Sequence, residues 1–235
     1  MAIGPDIALD LERFGFAGGP LLFQDLHLKV AGGEVVALIG PSGVGKTTLL
    51  RMVAGVQGGF AGSVHVAGKP ADQAPRSGMV FQDARLLPWL TVAGNIRAVS
   101  PAMADAEIDA LLERVGLGGV SALWPRQLSG GMQRRLGLAR ALSVNPRLLL
   151  LDEPFVSLDR AVVRDLQALF RQVVAELRPT VLLVSHDPED AALLADRAVI
   201  LTGRPARVAG EVALAGPRGP EDVAGLVARI RAVSG

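Results

Sequence analysis

Three short apolar runs stand out along the chain, Val35 to Ile39, Leu148 to Leu151 and Val181 to Val184, each followed at once by polar or glycine residues. Runs this short, without alternation, fit parallel strands buried on both faces better than helices. Helical spacing follows them, over Thr47 to Ala54 before Gly55, Arg160 to Leu177 before Pro179, and Glu189 to Ala195. The alternation of strand and helix predicts a doubly wound α/β core with functional loops at the carboxyl ends of its strands. Ile7 to Phe14, Leu21 to Val30 and Gly62 to Ala67 alternate between apolar and polar residues, which predicts a half-exposed antiparallel sheet beside that core. From about Arg85 to Leu142 the strand signal disappears. Asp105 to Val115 and Gly130 to Leu142 have helical periodicity there, so a helical lobe is expected between two core strands. After Leu201 glycine and proline become frequent, and a short closing helix is expected over Glu221 to Val233. The resulting division is a single domain over 1–235. Residues 1–84 and 143–210 form the α/β core with its β subdomain, 85–142 the helical subdomain and 211–235 a tail.

Composition narrows the classes of function. Half of the residues are hydrophobic, yet glycine, proline or charge interrupts every apolar run well before the length of about 20 residues that spans a bilayer. The opening MAIGPDIALDLERF lacks a basic stretch followed by a long apolar region, so the chain is expected to stay in the cytoplasm. The absence of cysteine removes disulfides, thiolate metal sites and cysteine nucleophiles. With 24 basic against 23 acidic residues, no net electrostatic attraction to nucleic acid is expected, and none is assigned as a partner.

Candidate chemistry begins at GPSGVGKT, Gly40 to Thr47, between the first buried strand and its helix. It fits the phosphate-loop pattern in the required context. Within Gly40, Pro41, Ser42, Gly43, Val44 and Gly45 the glycines let backbone N–H groups converge on phosphate oxygens, beside the positive end of the helix that Lys46, Thr47 and Thr48 open. Lys46 is expected to neutralise the β and γ phosphates, and the Thr47 hydroxyl to ligate Mg²⁺. RLLLLDEP then delivers two acids at a strand end: Asp152 for the Mg²⁺ shell, Glu153 to orient or deprotonate the attacking water. Of three histidines, His27 and His65 lie in alternating stretches as exposed or rim residues. His186 ends VLLVSHD at the same sheet edge as the phosphate loop, where it could donate to the γ-phosphate or fix Glu153 and the water.

These features describe many NTPases, small-molecule kinases included. The decisive stretch is LSGGMQ, Leu128 to Gln133, which with RRLGLARAL resembles the signature sequence of ATP-binding-cassette (ABC) ATPases. Gln82 in MVFQD resembles that family's Q-loop, Ser157-Leu158-Asp159 its D-loop and His186 its switch histidine. The resemblance covers about residues 7 to 210. It implies a P-loop NTPase (RecA-like) core with an N-terminal antiparallel β subdomain and an inserted α-helical subdomain. It also implies ATP and Mg²⁺ as cofactors, with Gln82 near both, and catalysis by Lys46, Glu153 and His186. Two copies would stack head to tail, so that Ser129, Gly130, Gly131, Gln133 and Asp159 of one approach ATP on the other. Ser129 also reads locally as an N-cap that leaves a helix's positive end open to an anion. The family usually stacks an aromatic ring, often tyrosine, on adenine; without tyrosine, Phe16 is the first candidate and Phe14 the second. Gly137, where alanine is usual, is a further departure.

The stretch Phe81 to Ile96, with LTGRPARVAGEV, looks like ATPases of nitrate, sulfonate, taurine and thiamine-precursor importers. Such a motor sits peripherally on the inner face of the membrane and works with transmembrane permease subunits and a periplasmic or lipoprotein substrate-binding protein. Its permease contact would be the Gln82 to Trp89 face, where Leu86, Leu87, Pro88 and Trp89 fit docking or packing within the helical lobe equally well. An ATPase of non-import cell-envelope machinery would share the same nucleotide motifs.

Overall fold

The computed structural model describes residues 3–156, 158–214 and 220–234. In chain order it runs β1 (Ile7–Gly15), β2 (Leu21–Val30), β3 (Val35–Ile39), α1 (Lys46–Val53), β4 (Ala61–Val66), β5 (Lys69–Pro70) and β6 (Gly78–Val80). Next come α2 (Val92–Arg97), α3 (Asp105–Arg114), α4 (Gly130–Leu142), β7 (Leu148–Asp152) and α5 (Arg160–Leu177). The chain continues through β8 (Thr180–Ser185), α6 (Pro188–Leu194), β9 (Arg197–Thr202), β10 (Arg207–Ala213) and α7 (Pro220–Ser234). The elements group into two compact units. One takes the chain up to Pro75 and again from Arg178 onward; the other is Arg76–Leu177.

The first unit carries the antiparallel sheet β2-β1-β4-β5 and the strand order β10-β9-β3-β8. β3 lies between β8 and β9, parallel to both, and all five of its residues are buried. β10 closes the edge antiparallel to β9. In β1, Ile7, Leu9 and Leu11 alternate into the core; the register against β4 then slips between Leu11 and Arg13, and the next buried side chain is Phe14. A bulge of this kind reverses which parity faces inward. Arg197 ties the strands together at one end, donating from Nε to Glu34 at 2.8 Å, from Nη1 to Glu211 at 2.7 Å and from Nη2 to the Lys29 carbonyl at 2.6 Å.

The second unit pairs β6 in parallel with β7, Met79 opposite Leu150, and holds helices α2 to α5. α5 buries Leu166, Leu169, Phe170 and Val173, the stripe of one helical face. Between β6 and β7 the chain is helical, and it holds α2 besides the two helices read from periodicity. α2 has six residues, is capped by Thr91 and contains Gly94, so it is too short to show a period. β9 (RAVILT) ends where glycine and proline become frequent, and β10 lies beyond that point: Gly203, at φ +83°, turns the chain between them. Glycine supplies that left-handed conformation without the clash of a Cβ.

Candidate functional site

In the first unit, buried β3 ends directly on the phosphate loop. A Cβ at Gly40 would lie 2.5 Å from the Leu201 carbonyl oxygen, so the loop leaves the sheet where only glycine fits. Gly45 is the N-cap of α1 at φ +109°, and a Cβ there would sit 2.5 Å from the Phe23 ring. It brings no side-chain cap to the positive end of the helix, which stays turned to the loop. Lys46 is only 5% exposed, and its Nζ donates to the carbonyls of Gly40 at 2.7 Å and Pro41 at 3.1 Å. The ammonium is thus gathered into the loop it follows. Pro41, Ser42 and Gly43 are exposed, Val44 and Thr48 are buried, and Thr47 is half-buried. The Arg204 guanidinium, which sequence reading passed over, reaches within 3.0 Å of where a Gly43 Cβ would stand.

The two phenylalanine candidates part company. Phe14 is 4% exposed and stacks on Phe23 with centroids 6.1 Å apart, while Phe16 packs edge-on to Phe14 at 5.1 Å and remains 54% exposed. Phe14 is a core residue. Phe16 keeps an aromatic face available. His186 is exposed immediately after β8, on a turn fixed by groups the sequence reading missed. Ser185 Oγ donates to buried Asp190 at 2.6 Å, the Asp187 N–H donates to Ser185 Oγ at 3.0 Å, and Asp187 caps α6. The faint signal was a serine and an acid bracketing a proline-started helix. His27 is exposed and pairs with Asp10 at 2.9 Å, and His65 is half-buried in β4.

In the second unit, Asp152 ends β7 at 8% exposure, and Glu153 follows at φ +47°. A left-handed non-glycine residue costs on the order of 1 kcal/mol and is worth attention where chemistry is expected. Pro154 and Phe155 behind it are buried, which holds the strained turn in place. Ser129 caps α4, its Oγ accepting from the Met132 N–H at 3.3 Å, and both Ser129 and Gly130 are exposed. Open space surrounds the Gly130 Cβ position, whereas a Cβ at Gly131 would lie 2.9 Å from Val162. Gln133 points back into its own chain, with Nε2 donating to the carbonyls of Pro125 at 3.1 Å and Leu128 at 3.2 Å. Its amide therefore shapes the loop that presents Ser129. Gln82 and Asp159 are exposed, and Asp159 sits just before α5; Ser157 lies outside the described residues. Asn95 is fully buried and holds the segment ahead of it, donating to the carbonyls of Leu87, Leu90 and Thr91 and accepting from the Leu87 N–H at 2.8 Å. On that pinned segment Trp89 is 67% exposed.

The family model for ABC transporters matches residues 23–156, from β2 through the two acids and into the turn after them. The chain belongs to the ABC transporter family. As an ABC cassette it binds ATP and hydrolyses it as a transport ATPase. It is similar to the aliphatic sulfonates import ATP-binding protein of Burkholderia lata, with 42% identity over 219 residues, 91% of this chain and 80% of the relative. Similarity to the protein of the same name in Pseudomonas aeruginosa is 44% over 211 residues, 86% of this chain and 85% of the relative. Among solved structures it resembles a dimeric ATP-binding cassette in a post-hydrolysis state with ADP and phosphate, at TM-score 0.77 and 26% identity over 90% of this chain and all of that one. A bacterial Atm1-family ABC exporter with ATP bound matches in fold, at TM-score 0.80 and 24% identity over 99% of this chain and 42% of that one. The α/β cassette fold expected from the motifs is therefore the fold of the family.

Proposed function

We propose that this ABC ATPase drives an importer of small organic anions bearing a sulfonate group. The observation that carries this reading is its identity of 42–44% to two aliphatic sulfonates import ATP-binding proteins over most of each chain. On this reading two copies close head to tail on two ATPs, with exposed Ser129 and Gly130 of one copy facing nucleotide held by the phosphate loop of the other. Residues 1–84 and 143–210 handle nucleotide, 85–142 present the signature, and 211–235 form a tail. Mg²⁺ suits the available donors: the Thr47 hydroxyl, the Asp152 carboxylate and the Gln82 amide oxygen are all hard oxygen ligands. The ion would supply charge neutralisation between the phosphates. Lys46 would bind the β and γ phosphates after exchanging its own-loop carbonyls for them, and Glu153 would orient or deprotonate water, with His186 supporting that geometry.

Among the described residues no helix is long and apolar enough to cross a membrane. On the importer reading the chain sits against a permease at the inner face, through the exposed Pro88 and Trp89 that Asn95 steadies from below. The test is ATPase activity after reconstitution with the permease and substrate-binding protein of an aliphatic sulfonate importer. An aliphatic sulfonate should stimulate turnover, and Glu153→Gln should abolish the stimulated rate while retaining bound ATP. Stimulation by nitrate or a thiamine precursor alone would overturn the sulfonate assignment. A Glu153→Gln protein keeping more than about a tenth of the wild-type rate would remove Glu153 from its role.

A further inference from the structure

Helix α4 does more than present the signature at its first turn. Half-buried Arg134 spreads its guanidinium between two loops: Nη1 donates to the Phe81 carbonyl and Nη2 to the Val156 carbonyl, each at 3.4 Å. Phe81 immediately precedes Gln82, and Val156 immediately precedes the Ser157-Leu158-Asp159 segment. Asp83 adds a charge that attracts the same guanidinium. Two turns further along α4, Arg140 grips the other end of the Gln82 loop, donating to the carbonyls of Ala84 and Arg85 at 2.8 Å each. Between the two arginines the loop lies at ordinary contact distance from the helix, a Cβ at Gly137 standing 3.5 Å from Ala84. The loop is also fastened across itself, Arg85 lying 4.4 Å over the Phe81 ring. Arg134 also lines, with Leu138, Leu151, Phe155 and Phe170, a cavity of about 20 Å³, too small for a ligand.

We propose that Arg134 is a positioning residue that fastens the Gln82 loop and the Asp159 loop to the signature helix, with Arg140 as the second fixing point, so that the three motifs shift together when nucleotide binds. A planar fork can serve two carbonyls in different directions at once; a lysine ammonium on a single flexible stem reaches one of them at a time. Displacement of α4 by a partner's nucleotide at Ser129 would therefore be felt at Gln82 and at Asp159. This inference rests on the assignment of Gln82, Ser129 and Asp159 to the nucleotide site.

The test uses the full chain with Arg134→Gln, and Arg134→Lys as a milder companion if the first fails to fold. Amide hydrogen exchange without nucleotide should quicken at least about fivefold around both Phe81 and Val156 in the glutamine variant, and only around Ala84 and Arg85 in Arg140→Gln. ATP affinity should stay within about threefold of wild type while kcat falls about tenfold, and lysine should recover part of that loss. In a Gln82→Ala background the same substitution should cost less than about threefold in kcat, because the contact it acts through is already silenced. Unchanged exchange in either segment, an affinity loss as large as the loss in kcat, or a full tenfold loss in the Gln82→Ala background would each overturn the proposal. The exchange measurement needs no turnover, so a chain unable to hydrolyse ATP would refute the nucleotide-site assignment while leaving this arm to decide whether the clamp exists.

Discussion

At the scale of single residues, the two phenylalanines near the start of the chain make the clearest contrast. Phe16→Ala should weaken ATP binding by roughly 1–3 kcal/mol, the worth of a base stacked on an aromatic ring, and leave the denaturation midpoint nearly unchanged. Phe14→Ala should do the reverse, costing about 3–5 kcal/mol of stability through the cavity it leaves against Phe23. Nucleotide titration and urea unfolding on both variants check the pair; loss of ATP affinity confined to Phe14→Ala would move the adenine contact to another side chain. Sequence alone ranked Phe16 first without separating core from surface, because strict alternation from Ile7 through Leu11 points inward at Arg13. The slip opposite β4 hands that place to Phe14, and such a bulge leaves no mark in the order of polar and apolar residues. The phosphate-loop pattern was legible, since glycines and a lysine at that spacing between a strand and a helix stand out in the sequence alone. Asp190 and Asn95 were not, because a buried polar side chain declares itself only through partners brought from elsewhere in the fold.

At the scale of elements, long periodic segments were readable to within a residue or so, as in α4 and α5, while short or irregular ones such as α2, β6 and β10 were not. Gly137 sits inside α4 with room for a methyl group, since the nearest atoms, all of Ala84, would stand 3.5–3.9 Å away. Gly137→Ala should therefore stabilise the protein by about 0.5–1 kcal/mol, read as a higher urea midpoint at constant slope. A lower midpoint would mean that the Ala84 loop cannot accept the methyl. The strands of the first unit are joined by Arg197 and Glu34, and there the dependence on pH has a definite sign. Burial alone would raise the Glu34 pKa, but the hydrogen bond from Arg197, the Ala31 N–H and the charge of Arg197 together hold it below the ordinary 4.5. A depressed carboxylate contributes its full stabilisation above its unfolded value and loses it as pH falls through the folded one. The stability difference between wild type and Glu34→Gln should accordingly be constant near neutrality and shrink below about pH 4.5. A difference that grew on acidification would contradict the ion pair.

At the scale of the whole molecule, the proposed division of the active site between two copies predicts behaviour no single chain can show. Ser129 is exposed at the mouth of α4, so Ser129→Arg should fold normally and still bind ATP on its own phosphate loop, yet lose most ATPase activity. Mixing it with Lys46→Ala subunits creates pairs in which one site has both an intact loop and an intact signature, and partial recovery of activity is expected. Full activity of Ser129→Arg alone would end the shared-site reading. Composition and motifs made the cassette legible, whereas the partition into compact units was not, because it depends on which strands pair. β3, which carries the phosphate loop, finds both neighbours, β8 and β9, only after the chain has made the entire second unit. During synthesis the strand that leads into the proposed nucleotide loop must therefore wait, unpaired and apolar, on the order of ten seconds at ordinary elongation rates. The second unit, continuous in sequence, is free to form in that interval. A ribosome halted before Thr180 would display the signature helix without a phosphate loop able to complete its strand pairing, and nucleotide could first stabilise the protein only as its last quarter emerges.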